Sequence, residues 1–230
     1  MVLSSRLRHL LFSTVSLSFL ALSAAPARAA ILDPIGDFLS VYTGPKNGDL
    51  DVTSVDAFMP DPGRVVLVGA HAAAIGTTSG AAYVWGIDRG AGTEPFPTLN
   101  PPTGEGVIFD SVVVLSPDST GFFLDLALGG APQTLDPSSI TISGSTIEVS
   151  LPASLLPSQG FAFTDYGYNL WPRFAPGGVN PADNTQVSDF APDASTFTAR
   201  AAVPVPEPGS LALFASGIVA LAALRRRRAG

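Results

Sequence analysis

Along the middle of the chain, apolar and polar positions change over with a period near two. Short runs rich in β-branched and aromatic residues fill this region: VTSVDAFM at 52–59, RVVLVGAHA at 64–72, AAYVWGID at 81–88, GVIFDSVVVL at 106–115 and TGFFLDLAL at 120–128. Such runs read as strands, because alternate side chains of an extended chain point to opposite faces. In the last of them Phe122, Leu124, Leu126 and Leu128 share one face, and Phe123, Asp125 and Ala127 the other. The stretch TISGSTIEVSL predicts a hairpin, with Ser143 and Gly144 in the turn. Its second strand sets Ile147, Val149 and Leu151 against Thr146, Glu148 and Ser150. DPGR, SPDSTG, GGAPQ and PSQG supply turn chemistry between the runs. PASLLPSQG has room for one helical turn at most, and no repeat with a period of about 20–50 residues is present. The pattern predicts an all-β fold, an antiparallel β-sandwich of jelly-roll-like kind.

The two ends of the chain follow other rules. Residues 1–29 open with Arg6, Arg8 and His9, continue as a 13-residue apolar run at 10–22, and close with APARAA. That order is a signal peptide with Ala27 and Ala29 as the small pair before cleavage, and the run is short for a membrane span. It predicts passage through the export translocon and cleavage by signal peptidase after Ala29, with an uncleaved anchor as the alternative. At the other end Pro206, Glu207 and Pro208 break the chain. An uncharged run of 14 residues follows at 211–224, then Arg225, Arg226, Arg227 and Arg228. As a helix the run is roughly 21 Å long at 1.5 Å per residue, against a hydrocarbon core of about 30 Å. With Gly209 and Ser210 added and the arginines snorkelling, it just spans. The positive end stays cytoplasmic, so the middle of the chain lies outside, tethered to the membrane. The prolines keep the preceding segment extended, the form a membrane-embedded processing enzyme can grip.

This tripartite end resembles the PEP-CTERM sorting signal of Gram-negative bacteria. The resemblance implies that a membrane transpeptidase, an exosortase, recognises the triplet and removes the tail. It also implies delivery to the outer surface or matrix, since carriers are typically surface or matrix proteins of bacteria that export polysaccharide. A plain transmembrane tail is the other reading. The chain therefore divides into a signal peptide at 1–29, an exported body at 30–204, and a sorting segment at 205–230.

Charge and composition narrow what the body does. Between residues 30 and 204 the basic side chains are Lys46, Arg64, Arg89, Arg173 and Arg200, against eighteen acids, so the net charge is 5 − 18 = −13. Such a surface repels phosphate backbones, so nucleic acid is not an expected partner, while divalent cations are welcome. The absence of cysteine excludes thiol catalysis, thiolate zinc sites and iron–sulfur clusters. His71 is the body's one histidine, which excludes a histidine-rich metal centre.

Three constellations carry chemistry. Asp49 and Asp51 are two apart, so on a strand they share a face. With Asp33 and Asp37 they form a candidate calcium site, since calcium takes six to eight oxygens. Asp61, Asp88 and Asp165 are weaker candidates, and exposed turn aspartates are the commoner case. The opening stretch DPIGDFLSVYTGPKNGDLDV and YVWGIDRG resemble extracellular sandwich domains related to DOMON and carbohydrate-binding modules, through Asp33, Gly36, Asp37, Asp49, Asp51, Tyr83, Trp85 and Asp88. Next, FAFTDYGYNLWPR at 161–173 gathers Tyr166, Tyr168, Asn169, Trp171 and Arg173. Beside Asp165 these form a candidate polar-aromatic platform for sugar rings, although sandwich aromatics are usually core and Trp85 is expected to be buried. Two long loops, 90–106 and about 172–192, are the expected seat of binding or else plain decoration. Last, a serine hydrolase would have to use His71, yet no G-x-S-x-G exists and His71 lies in an apolar run. Glu94, Glu105 and Glu148 are the body's only glutamates, and none sits in a glycosidase motif. The expected role is a structural or glycan-binding envelope or matrix protein with exopolysaccharide as partner, the alternative a polysaccharide-acting hydrolase.

Overall fold

The computed structural model describes residues 30–201. Ala27 and Ala29, the triplet Pro206, Glu207 and Pro208, the apolar run 211–224 and the terminal arginines therefore lie outside the described residues. The body is two stacked sheets. In the first, the spatial order is β1 (Ile31–Leu32), β2 (Val52–Asp61), β3 (Arg64–His71), β9 (Thr146–Pro152), β8 (Ile140–Ser143), and β12 (Arg200–Ala201) also lies beside β2. In the second it is β11 (Phe197–Thr198), β10 (Gly167–Phe174), β4 (Ala81–Asp88), β5 (Ser111–Leu115), β6 (Gly121–Asp125), β7 (Gln133–Thr134). Every pair is antiparallel except β12 with β2. The all-β sandwich expected from the period-two pattern is the architecture observed.

Local signals map well onto these strands. AAYVWGID is β4 from first residue to last. The predicted hairpin pairs Ser143 with Thr146, and Gly144 in its turn adopts φ 58°, a conformation that costs glycine nothing. PASLL holds one short 3-10 turn at Ala153–Leu155. By contrast β5 starts only at Ser111, five residues later than its apolar run.

The inter-sheet core is built as alternation requires. Ile147, Val149 and Leu151 are fully buried against Trp85, Ile87, Val113, Tyr168 and Leu170. Each such side chain contributes about 1.5–3 kcal/mol by leaving water. A second apolar cluster lies on the outer face of the second sheet: Val84, Phe96, Val107, Phe109, Val114, Trp171, Val187 and Phe190. The two long loops supply Phe96, Val187 and Phe190, so they fold over this face and roof it rather than projecting from an end of the sandwich. Gly86 of β4 permits the arrangement, since a Cβ there would overlap the Trp171 ring. Strand β6 shows the consequence. Its inward residue is Phe123, while Phe122 and Leu124, expected on the dominant apolar face, point outward and are half-buried. With apolar cover on both sides, the richer face need not be the inner one.

Candidate functional site

The residues expected to form a sugar platform are not at the surface. Tyr166, Tyr168, Asn169, Trp171 and Arg173 are each at most 3 % exposed. Tyr166 donates its hydroxyl to Leu156 O at 3.0 Å, and Asn169 Nδ2 donates to Pro192 O and Ser195 O. Trp171 sits edge-on to Phe96 at 5.1 Å and tilted to Phe109 at 4.9 Å. Arg173 Nη1 donates to the carbonyls of Asn180 and Asp183. The expectation of a stacking platform is therefore corrected. Strand β10 is central, paired with β4 on one edge and bridged to Val187 and Ala191 on the other. Sheet one covers one of its faces and the loops cover the other.

The acids tell a different story. Asp33, Asp37 and Asp189 each present a carboxylate oxygen within 4.8 Å of the others. Asp33 follows β1, where its N–H donates to Thr53 O, and Leu39 N–H donates to Ser188 O. The first bond holds the entry segment to β2, and the second folds it against Ser188. The bend needs Gly36, at φ 86°, whose N–H is shared by both carboxylate oxygens of Asp51 at 3.0 Å. Asp189 rides on the segment that runs beside β10, yet its carboxylate accepts Val52 N–H of the opposite sheet at 2.8 Å. One acid thus links both sheets and the entry segment.

Electrostatically the cluster is unbalanced. Burial, then the charges of Asp37, Asp193 and Asp51, push Asp33 up to about 7. Burial pushes Asp189 up to about 8, opposed by the Val52 N–H and reinforced by Asp33 and Asp37. Burial likewise raises Asp51 and Asp193. Asp33 Oδ2 and Asp37 Oδ1 are buried with no hydrogen-bond donor, and none of these acids makes a salt bridge among the described residues. Buried like charges without a partner must take up protons or a cation. An all-oxygen donor set suits a hard divalent cation, and calcium in particular accepts irregular carboxylate cages.

Of the four acids expected to share a metal, Asp33 and Asp37 meet, Asp51 stands near enough for its charge to act on Asp33, and Asp49 turns elsewhere. Residues 48–50 form a 3-10 turn, so strand alternation does not govern Asp49 and Asp51. Asp49 turns instead to Thr78, accepting its N–H at 2.7 Å and its hydroxyl at 2.6 Å, with Tyr83 OH at 3.4 Å. Asp189, which sequence reasoning passed over, completes the group of three, with the charge of Asp193 close by. Asp61 pairs with Arg64, Asp88 accepts the N–H groups of Gly90 and Gly92, and Asp165 accepts from the Thr164 hydroxyl. These three are turn acids, remote from the cluster in role.

His71 is buried edge-on to Tyr83 at 4.9 Å, and neither ring nitrogen has a partner among the described residues. A serine relay needs a bond at each nitrogen.

Two comparisons with known proteins bear on the chain. Residues 204–228 match the family model described as the PEP-CTERM protein-sorting motif. No curated protein matches the sequence.

Proposed function

We propose that this PEP-CTERM chain, exported and processed by an exosortase at the membrane, serves as a structural protein of the cell envelope or extracellular matrix, its sandwich clasped by calcium. Signal peptidase removes residues 1–29 after translocation, residues 211–224 hold the body at the membrane until the tail is cut, and the body spans 30–204. The carrying observation is the Asp33, Asp37, Asp189 cluster, with two donorless buried oxygens and no basic partner. Calcium there would tie the entry segment to both sheets at once, stiffening a body that must survive outside the cell without disulfides. The burial of Trp171 and its neighbours removes the residues on which sugar stacking rested, so the structural role is favoured over glycan binding.

Thermal melts in calcium and in chelator test the clasp. A ligand at a hundredfold excess over its Kd adds about 2.7 kcal/mol, which for a body of this size is a rise of roughly 5–10 °C. The Asp189→Asn variant should lose that rise. Identical midpoints in calcium and chelator would remove the metal from the account.

A further inference from the structure

The roof over the second sheet is incomplete. Between the loops and the outer face of β4, β5 and β6 lies an apolar groove of about 420 Å³. That falls within the roughly 300–1,000 Å³ range of small-molecule sites. Val84, Val112, Phe122 and Leu124 form its floor. Leu126 and Val179 stand at its mouth, 48 % and 37 % exposed, although both are apolar. One cation reaches it. Arg173 lines the groove while being 3 % exposed, and no carboxylate pairs with it among the described residues. Its hydrogen bonds use Nη1 alone, to the Asn180 and Asp183 carbonyls, while the Asp183 carboxylate is turned to the N–H and hydroxyl of Thr185. Asp110, the other charged group lining the groove, is already held by Arg89.

We propose that this groove binds a small amphipathic carboxylate, an acyl chain lying along the floor with its head group on Arg173. A guanidinium offers a carboxylate two parallel donors, and Nε and Nη2 are left for that purpose. Burial lowers Arg173 to about 10, the nearby charge of Asp183 offsetting this only in part, so a directly bonded anion would stabilise the guanidinium further. The exposed apolar mouth matches the tail of such a molecule, since side chains of this kind gather where a ligand or partner covers them.

Calorimetric titration of the exported protein with decanoate and with decanol tests the proposal. Decanoate should bind at least tenfold more tightly than decanol, and octanoate roughly tenfold more weakly than decanoate, from the loss of two buried methylenes. Val112→Trp fills the floor of the groove and should abolish binding of both. Arg173→Met should erase the preference for the acid while leaving the alcohol unchanged. Because Arg173 also holds two loop carbonyls, the wild-type comparison and the Val112→Trp variant decide the matter if that protein fails to fold. Equal affinities for acid and alcohol in the wild type, no measurable binding, or undiminished binding in Val112→Trp would each overturn it.

Discussion

His71 and the acid cluster respond to pH with opposite signs. Burial lowers His71 from 6.5 to about 4, so the unfolded chain takes its proton first as pH falls. Its contribution is complete above about pH 6.5 and is lost on the way down to about 4, worth on the order of 3 kcal/mol. Asp33 and Asp189 are raised instead, to about 7 and about 8, so without a cation the folded state holds protons that the unfolded chain has released. Their contribution is full below about pH 4 and is lost as pH rises through 7 and 8. Above about pH 6.5 only the second trend remains. Melts in chelator should therefore fall from pH 6.5 to 8.5, calcium should flatten that decline, and His71→Phe, which removes the one opposing group, should make chelator melts rise more steeply as pH falls from 6.5 toward 4. A chelator profile that is level above pH 6.5 would contradict the protonated cluster. Asp33, Asp37 and Asp51 were legible as metal candidates because they sit close in sequence with glycine between them. Asp189 was not, being more than 130 residues from its neighbours along the chain.

At the scale of elements, Arg89 fastens three strand ends and a connecting loop together. Its own N–H and Nε bond Asp110 at 2.7 and 2.6 Å, Nη2 meets Asp125 at 2.8 Å, and Nη1 donates to Pro157 O at 3.2 Å. The ends of β4 and β6, the start of β5 and the approach to β10 are thereby fixed together. Arg89 is fully buried and Asp125 nearly so, so Arg89→Met would strand two carboxylates. Removing one partner of a buried pair costs about 3–5 kcal/mol, and chemical denaturation should show a loss of that size. A change under 1 kcal/mol would mean that water reaches the site. Strand existence was readable here and strand facing was not. AAYVWGID and GYNLWPRF are both buried on two faces, yet the second carries Asn169 and Arg173 and looks amphipathic. What hides its polar residues is loop backbone, whose carbonyls accept their hydrogen bonds.

For the whole molecule, the two ends of the body leave from one place. β1 pairs with β2 at Val55 and Ser54, and β12 pairs with it at Phe58 and Met59. Arg200 clamps the exit strand by two-pronged bonding to Asp56, with its guanidinium 4.9 Å from the Phe58 ring. The edge of β2 is thus covered by the two segments that lead toward the chain termini, which also shields it from edge-to-edge association. The sorting motif begins at residue 204, three residues past β12, so it follows directly on the sandwich along the chain. Replacing Pro206, Glu207 and Pro208 with alanine should leave the tail on the mature protein by mass spectrometry. An unchanged mature C-terminus in that variant would take the triplet out of recognition.

The sorting motif at 204–228 and the sandwich class were written in the sequence itself. A sorting machine reads a linear segment, and period-two alternation follows from the geometry of a single strand. Which face of a strand is wet, and which acids meet, were decided only when the chain folded. Loops 90–106 and 172–192 turned an apparent platform into a second core, and Asp189 arrived from the far end of the chain to complete a cluster begun at Asp33. Burial and charge proximity are properties of residues brought together across long separations, and no local pattern encodes them.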